Sequence, residues 1–456
     1  MAKAKYDPSS GLDYTGLDYK PFLTEWPPDS HRVKVTPHEF RPLSKNTRLV
    51  SEYDMEDLGV PGDGFQLAKK DHYIYLCNFW SSGVSVIDVK DPTKPEGVKF
   101  IPTDNPHVWS IKCRVVGDIL IVANEWKFFE PTSYHVMQHL RFLHDKGPKE
   151  PIETGIKIYN ISKPAEPKLL SFFKTGEWSK EGGGVNCHRF SYDGHYAYLS
   201  ASAPGYDKAI LRIIDVSDPK EPKEVSRFWR PGQWVAGGER PWQPTAGTFP
   251  PSLGVMCHLA IPQGDRAYVG WFGGGGTIVD TSNITTPTLV SEFNYNPGGQ
   301  GHTFLPIQNR EFAVFVDEWR QTYMLNISDE KYPKVIGVFP RAPLELLERG
   351  NFRCQPAPIG PTIHNIHENY PGPDSYRSDD RIYATCGPAG LRIYDISNPF
   401  YIEEIGYYVP GTPKTQYNPN GPLYWGVDVE DVWVDNKGLI YMSDWNAGLS
   451  IIEFTG

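Results

Sequence analysis

Histidines recur at one place in a repeated sequence pattern. His188, His258 and His302 precede the strand-like runs AYLSA, AYVGW and FAVFV by nine, nine and ten residues. His364 and His367 precede a further run, IYATC, at a longer spacing. Imidazole is a preferred ligand of first-row transition metals, and a catalytic metal needs several converging ligands with one position open. The pattern therefore predicts a metal centre held by the three aligned histidines and by one of His364 or His367.

Two further residues stand at related places and are the candidates for catalysis. Glu430 lies nine residues before LIYMS, where other repeats have histidine, so it is a candidate general acid or base or an added ligand. His107 lies a few residues earlier in its repeat than the pattern requires, and we interpret it as a reserve ligand or a proton-transfer group. Other acids near the same place are candidate outer partners, although those beside tryptophan are more typical of the blade framework: Glu125, Asp317, Glu318, Glu368 and Asp444.

The nature of the ligands bears on the metal. Four neutral imidazoles would leave the double charge of the ion uncompensated, which suits a redox ion. We expect a divalent transition metal as cofactor, with Fe(II) favoured and Mn, Cu or Zn as alternatives. If Glu430 is also a ligand, the set instead suits a Zn²⁺ or Mn²⁺ ion that activates water, and the chemistry would be hydrolytic and not redox.

The elements that must position these residues form a repeat. Each copy alternates β-branched or aromatic residues with others, reaches an Asp or Asn, and meets a turn rich in Ser, Asp and Pro. Six copies are recognisable, at 84–95, 156–167, 211–222, 276–287, 322–333 and 391–402, and LSIIEF at 449–454 is a truncated seventh. Two strand-like runs precede each copy and one follows, so each repeat predicts four strands.

Seven four-stranded antiparallel units predict an all-β fold, a seven-bladed β-propeller, because no unit can bury both of its faces alone. The seventh copy lacks a fourth strand, while RLVSEYDM at 48–55 matches LVSEFNY at 289–295, a fourth strand of an earlier copy. We therefore expect the N-terminal strand to close the last blade beside 449–454. The predicted domains are an N-terminal arm, 1–47, and a single propeller, 48–456.

Insertions interrupt the repeats and predict short helical additions. TSYHVMQHLRFLHD at 132–145 has an amphipathic helical pattern, and APLELLERG at 342–350 predicts a short helix ended by Gly350. Such additions normally cover one face of a propeller as lids or oligomer contacts.

The repeated unit resembles the LVIVD-repeat family of propellers, named for the strand that here reads VSVIDV or LRIIDV. The resemblance covers roughly residues 48–454 and implies the fold, but it implies no particular chemistry because the family is functionally heterogeneous. In architecture alone, the histidines are also similar to those of carotenoid-cleaving oxygenases, which are seven-bladed propellers with a four-histidine iron centre. Selenium-binding protein, a metal-dependent propeller thiol oxidase, is a second, looser analogue.

We interpret the chain as a metal-dependent enzyme that acts on a small, aromatic or hydrophobic molecule in the central channel, with oxidation or oxygenation favoured. A metal-dependent hydrolase or lyase on the same scaffold is one alternative. A non-catalytic propeller that binds another protein is the other. The histidines favour an enzyme, because a scaffold needs no convergent imidazoles.

Composition excludes several classes of partner. The 456 residues carry a formal net charge of -10, which gives no cationic surplus for nucleic acid or an anionic membrane surface. No apolar run approaches the 18 residues of a membrane span, and the six cysteines are sparse and lie mostly in apolar contexts typical of buried thiols in a reducing compartment. We expect a cytoplasmic protein with a small-molecule substrate. The sequence leaves open whether the protein is a homo-oligomer.

Overall fold

The computed structural model describes residues 39–105, 107–126, 151–178, 187–242, 254–295, 299–307, 311–318, 320–350, 361–413 and 426–456. Within these ranges the chain forms seven antiparallel sheets arranged in a ring. The fold is a seven-bladed β-propeller, as the repeat predicts.

The first three blades follow two N-terminal strands, Leu43–Lys45 (β1) and Thr47–Tyr53 (β2). Blade 1 comprises Leu67–Lys70 (β3), Tyr73–Asn78 (β4), Gly83–Asp88 (β5) and Glu96–Pro102 (β6). Blade 2 comprises Val108–Trp109 (β7), Cys113–Val116 (β8), Ile119–Trp126 (β9), Ile152–Asn160 (β10) and Lys168–Trp178 (β11). Blade 3 comprises Cys187–Tyr192 (β12), Tyr196–Ser202 (β13), Ala209–Asp215 (β14) and Lys223–Phe228 (β15).

The remaining four blades continue the same order from channel to rim. Blade 4 comprises Met256–Gln263 (β16), Arg266–Phe272 (β17), Gly275–Asp280 (β18) and Thr288–Phe293 (β19). Blade 5 comprises Gly301–Pro306 (β20), Phe312–Asp317 (β21), Thr322–Asn326 (β22) and Lys334–Val338 (β23). Blade 6 comprises Arg381–Thr385 (β24), Leu391–Asp395 (β25) and Glu403–Val409 (β26). Blade 7 comprises Val429–Val434 (β27), Leu439–Asp444 (β28) and Gly448–Phe454 (β29).

The ring is closed by the N-terminal strand. β2 pairs antiparallel with β29, with Thr47 opposite Phe454 and Tyr53 opposite Leu449. This confirms the predicted closure, which leaves no open edge between the first and last blades. β1, which lies in the predicted arm, pairs with β26 at the rim of blade 6.

The Asp or Asn of each repeat has a structural role at the end of the third strand. The carboxylate of Asp215 accepts hydrogen bonds from the backbone N–H and the hydroxyl of Ser217, two residues further on. The equivalent side chains in five other blades accept the same bond from the backbone N–H two residues further on; they are Asp88, Asn160, Asp280, Asn326 and Asp395. Asp and Asn favour turns because of this local bond, which explains why the repeat is legible in the sequence.

One of the two predicted helices lies within the described residues. Leu344–Arg349 forms a 3-10 helix, and Gly350 after it has extended backbone. The short helix thus ends at Gly350 as predicted, and a side chain there would collide with the backbone of Val427. Two further 3-10 helices are Glu56–Leu58 and Val235–Gly237. The helix predicted at 132–145 lies outside the described residues, and none of the helices described is long and apolar enough to cross a membrane.

Candidate metal centre

The aligned histidines lie at β-bulges, where the register between the inner strand and the second strand of a blade shifts by one residue. In blades 3, 4, 5 and 7 the inner strand carries one residue more than the second strand opposite, within Cys187–Phe190, Cys257–Leu259, Gly301–Thr303 and Val429–Val432. These segments contain His188, His258, His302 and Glu430. A β-bulge turns the side chain of its extra residue away from the regular alternation, and such bulges are common beside active sites. The position of Glu430 in this set agrees with its alignment to the histidines.

Four imidazoles from consecutive blades form a continuous group, which we name the histidine cluster: His188, His258, His302 and His364. Their ring centroids are 5.2 Å apart from His188 to His258, 4.0 Å from His258 to His302 and 4.9 Å from His302 to His364. The structure therefore brings together the three aligned histidines and one from blade 6.

In blade 6 the inner position is taken by His364. Its backbone N–H donates to the carbonyl of Thr385 at 2.8 Å, and the N–H of Thr385 donates to the carbonyl of Asn365 at 2.9 Å. The segment from His364 thus lies beside β24 as an inner strand does in other blades.

His367 is held elsewhere. Its Nε2 lies 2.8 Å from the carbonyl oxygen of Tyr376, and its Nδ1 accepts a hydrogen bond from the backbone N–H of Val434 at 3.2 Å. Both ring nitrogens are engaged, so this arrangement leaves no lone pair for a metal. Of the two histidines that the sequence left open, the structure places His364 in the cluster and His367 outside it.

His107 does not join the cluster. Its backbone N–H donates to the side chain of Asn105, its own side chain is half-buried, and no ring contact between it and the cluster occurs among the described residues. The residue of blade 2 that reaches the centre is Lys112, which is buried with its Nζ 3.5 Å from Oε1 of Glu430. Burial lowers the pKa of Lys112. The sequence analysis missed this lysine, although a lysine in the strand-like run VWSIKC was a signal.

Three of the four cluster histidines have Nδ1 occupied by an acceptor; in the fourth, His302, Nδ1 lies 2.9 Å from the hydroxyl of Thr303 and Nε2 has a longer contact of 3.5 Å with the guanidinium of Arg189. Nδ1 of His188 lies 2.9 Å from Oε1 of Glu125, and Nδ1 of His258 lies 2.8 Å from the carbonyl oxygen of His302. Nδ1 of His364 lies 3.2 Å from Oε2 of Glu430. An acceptor at one ring nitrogen holds the proton there, fixes the ring and leaves the lone pair on the other nitrogen, which is the usual arrangement of metal-ligating histidines.

Two of the glutamates that contact the cluster come from a common position, the end of the second strand of the preceding blade. Glu125 of blade 2 contacts His188 of blade 3, and Glu318 of blade 5 has Oε1 3.7 Å from Nε2 of His364 in blade 6. Both precede a tryptophan in the sequence. In blade 7 the equivalent position is Trp445, whose indole N–H donates to Oε2 of Glu430 at 2.7 Å. Asp444 is equivalent to Asp317: each accepts the backbone N–H of the residue two before the bulged one, and this is the framework role that the sequence suggested for Asp444.

Glu318 completes a compact group with two members of the cluster. His302, Glu318 and His364 each offer one ligand atom, and these atoms lie within 4.8 Å of one another. All three side chains are buried. Glu318, a candidate outer partner in the sequence, therefore lies among the candidate ligands, while its neighbour Asp317 accepts the backbone N–H of Gln300 and serves the framework.

The charges around His364 favour a cation. Burial alone would lower the pKa of His364, but the carboxylates of Glu430 and Glu318 raise it. Burial likewise would raise the pKa of Glu430, yet the charges of His364 and Lys112, with hydrogen bonds from His364 and Trp445, lower it to about 2. A metal ion could supply the positive charge that this pair of carboxylates stabilises.

The other buried imidazoles are neutral. Burial lowers the pKa of His258 and His302, and each is further lowered by neighbouring histidines and by Arg189. A neutral imidazole keeps the lone pair that a metal requires. Burial also raises the pKa of Cys187 and Cys257, which precede two of these histidines, so they are inert core thiols as expected.

A layer of ion pairs lies under the cluster. The guanidinium of Arg189 lies 3.5 Å from Nε2 of His302 and donates to the side chains of Asn365 and Glu368. Glu368 also accepts from Arg114 at 2.8 Å. Burial would raise the pKa of Glu368, but these two arginines lower it. Glu368, a candidate outer partner in the sequence, therefore neutralises arginines and does not contact the cluster directly.

The comparisons with known proteins agree with the fold. The family model for the LVIVD repeat matches residues 191–229 and 257–295, in blades 3 and 4. No curated protein matches the chain in sequence. The propeller is similar to a periplasmic gluconolactonase of Pseudomonas aeruginosa at 10% identity, with a TM-score of 0.50 over 86% of this chain and 98% of that one.

Two further solved structures show weaker similarity. A protein from Lactobacillus plantarum is 11% identical, with a TM-score of 0.49 over 85% of this chain and 98% of that one. The computationally designed protein Ika8 is 7% identical, with a TM-score of 0.45 over 86% of this chain and 96% of that one. The similarity to the gluconolactonase, at 10% identity, concerns the fold alone.

Proposed function

We propose that this seven-bladed propeller with LVIVD repeats is a metal-dependent enzyme that activates water for attack on a small molecule in its central channel. The observation that carries the proposal is the compact group of His302, Glu318 and His364, whose ligand atoms lie within 4.8 Å of one another. His364 is fixed by Glu430 from the other side of its ring. The donor set fits a divalent transition metal, because buried imidazole and carboxylate groups are its usual ligands.

The same set supports water activation over the oxidation that the sequence favoured. That preference rested on four imidazoles alone. In the structure Glu318 belongs to the compact group, Glu125 contacts the ring of His188, and Glu430 contacts the ring of His364. Two histidines and a glutamate are the protein ligands of one class of catalytic zinc site. A bound metal of this kind would lower the pKa of water to near neutrality.

The chain's own residues divide the remaining tasks. Glu430 is a positioning residue that holds the ring of His364. His258 neighbours His302 at 4.0 Å between ring centroids and is the candidate for a fourth ligand. His188 lies at the outer end of the cluster with 28% of its side chain exposed. Because Nδ1 of His188 faces Glu125, its Nε2 can accept a proton from water or substrate.

Oxidation is the second candidate, and one observation favours it. Two histidines and one carboxylate are also the ligands of non-haem Fe(II) oxygenases, and His258 adds a further imidazole beside the group. A protein-binding scaffold is the weaker alternative, because His258, His302 and His364 are buried and would not reach a protein partner.

The experiment is turnover under anaerobic conditions by the zinc-loaded and iron-loaded forms. Aryl esters, lactones and phenolic compounds serve as candidate substrates, and the His302→Ala variant is the control for activity at another site. Anaerobic turnover by the zinc form, abolished in His302→Ala, supports water activation. Turnover that requires both iron and O₂ would reject water activation in favour of oxidation, and activity unchanged in His302→Ala would reject the site itself.

A further inference from the structure

Lys112 is a buried cation beside the histidine cluster, and the proposed function gives it no task. Its Nζ lies 3.5 Å from Oε1 of Glu430, and Oε2 of the same carboxylate lies 3.2 Å from Nδ1 of His364. Nζ also lies 4.3 Å from the ring centroid of Phe65, which precedes the inner strand of blade 1. Lys112 therefore extends from blade 2 into the channel, where it shares a carboxylate with one of the proposed metal ligands.

The charge of Lys112 acts on the group proposed to hold the metal. Burial lowers the pKa of His258 and His302, and neighbouring positive charges that include Lys112 lower it further. Burial raises the pKa of Glu318, while the charges of His364 and Lys112 oppose that rise. Coulomb forces weaken with distance, so an ammonium that acts on these side chains also acts on a molecule bound beside them.

The ammonium of Lys112 has unused hydrogen-bond donors that another molecule can reach. An ammonium carries three N–H donors, and the 3.5 Å contact with Glu430 is longer than a hydrogen bond. Nζ forms no hydrogen bond with the residues that the structure describes, and it keeps part of the 3% of the side chain that is exposed. An acceptor from outside the chain would complete these donors, whose lack of a partner is unfavourable in a buried place.

The buried charges at the cluster have a negative excess. Among the described residues, three cations and five carboxylates act on one another at the histidine cluster and in the layer of ion pairs under it: Lys112, Arg114, Arg189, Glu125, Glu318, Glu368, Glu430 and Asp431. Burial raises the pKa of Asp431 to about 6, so this carboxyl is still ionised at pH 7. One divalent ion would offset the excess of two negative charges. The loaded site would then have no positive surplus with which to attract an anionic substrate.

Building on the proposed function, we propose that the substrate is a neutral ester or lactone and that Lys112 is the catalytic residue that binds its carbonyl oxygen. A neutral substrate fits a site without surplus charge. Negative charge appears on the carbonyl oxygen only when water attacks the carbonyl carbon. An ammonium already in place stabilises that charge without reorganisation, which is a large part of catalysis in many enzymes.

The reaction needs only water as a second reactant. The oxygen of water bonds to the carbonyl carbon, the π electron pair moves to the carbonyl oxygen, and Nε2 of His188 takes the proton. The oxyanion accepts hydrogen bonds from Nζ of Lys112. The electron pair then returns to form the carbonyl again, the bond to the alcohol oxygen breaks, and that oxygen takes the proton from His188. An ester gives a carboxylic acid and an alcohol, and a lactone gives a hydroxy acid.

The first test compares neutral and anionic esters in zinc-loaded wild type. 4-Nitrophenyl butyrate is the neutral probe, mono-4-nitrophenyl succinate is its anionic match, and 4-nitrophenyl phosphate represents phosphate esters. After subtraction of uncatalysed hydrolysis, we expect kcat/KM for the butyrate to exceed that for either anionic probe at least about tenfold. This comparison needs no variant and does not depend on what a substitution does to folding.

Lys112→Met is the informative variant because it removes the ammonium and keeps most of the length of the side chain. We expect kcat for the butyrate to fall at least about 100-fold, with KM changed less than about threefold, because the oxygen becomes negative only during the reaction. Lys112→Arg should restore part of the rate. Lys69→Met is the matched control, since Lys69 is also buried, with Nζ 3.7 Å from Asp435 and 5.8 Å from the ring centroid of Tyr441. It should keep kcat within about threefold of wild type.

Binding of 1,1,1-trifluoroacetophenone, followed by fluorine NMR, tests the same contact without turnover. The hydrate of this ketone has the tetrahedral shape of the reaction intermediate and an oxygen at the position of the oxyanion. We expect it to bind zinc-loaded wild type and Lys69→Met at least about tenfold more tightly than Lys112→Met.

Four results would overturn the proposal: no hydrolysis of the butyrate, faster hydrolysis of the succinate or the phosphate, wild-type kcat in Lys112→Met, or equal affinity of the ketone for Lys112→Met and wild type. Zinc content separates this failure from failure of the proposed function. Any of these results in protein with about one zinc bound per chain rejects the role of Lys112 or the neutral substrate and leaves the metal centre in place. Wild type that binds no zinc rejects the proposed function and this proposal together.

Discussion

The His367→Gln variant should change the pH dependence of stability without removing the proposed metal. Burial lowers the pKa of His367 from 6.5 to about 4. The folded pKa is below the unfolded one, so the stability contributed by the neutral ring is fully present above pH 6.5 and is lost as the pH falls through 4. At about 1.4 kcal/mol per pH unit, the wild type should lose about 3 kcal/mol of unfolding free energy through this group.

Glutamine does not titrate but retains part of the hydrogen bonding. Its side-chain N–H₂ can donate to the carbonyl of Tyr376, while the N–H of Val434 loses its acceptor. The variant should therefore be less stable than wild type at pH 7, by about 1–3 kcal/mol. As the pH falls towards 4, the advantage of the wild type should shrink by about 3 kcal/mol.

The assay is urea unfolding followed by tryptophan fluorescence at pH 7, 6, 5 and 4, with wild type and variant measured side by side. Only the difference between the two proteins is used, because other groups titrate equally in both. Parallel pH dependences would refute the buried, neutral state of His367. Loss of bound metal in His367→Gln would show that this residue, and not His364, is the ligand.

Three further predictions concern the closure of the propeller ring by β2, the buried side chain of Asp63 and the role of Glu430 in orienting His364. Deleting residues 1–56 removes β1 and β2 and should lower the melting temperature far below that of the 1–38 deletion, which leaves both strands in place; equal melting temperatures would contradict the closure. Asp63 is fully buried and accepts three backbone N–H groups of blade 1, so Asp63→Ala should cost at least about 3 kcal/mol in urea unfolding and Asp63→Asn clearly less. Glu430→Gln should weaken metal binding about 10–100-fold in chelator competition while the fold is kept, since Glu430 orients His364; unchanged metal affinity would remove that role.

The fold could be predicted because it is encoded in local chemistry. Each repeat carries its own turn signal, as in the bond from Ser217 to Asp215, and the closing strand repeats the sequence of an earlier fourth strand. The same register shift between third and fourth strands occurs in blade 3 and between β29 and β2, so the closing strand is equivalent in structure as well.

The candidate site was predictable only in part. The aligned histidines could be found because the bulge lies at a fixed place in each repeat. Glu318 was undervalued because its tryptophan neighbour resembles the framework pairs. Only the structure shows that Glu318 reaches the next blade, whereas Asp444 of the similar SDW run lies at the position of Asp317 and binds its own blade. The positions of Lys112 and Arg189 in the channel could not be predicted from the sequence. They depend on which face of a bulged strand points into the channel, and the alternation of a regular strand does not tell this.

The most direct test of the central claim is the metal content of untagged protein, measured by mass spectrometry after equilibration with Zn²⁺ or Fe²⁺ and removal of free metal. We expect about one metal per chain in wild type and in His367→Gln. We expect almost none in Glu318→Gln and in the His258→Ala, His302→Ala double variant, with the thermal stability of each metal-free protein near that of metal-free wild type. Stoichiometric metal retained in the double variant, or wild-type protein that binds no metal, would contradict the account.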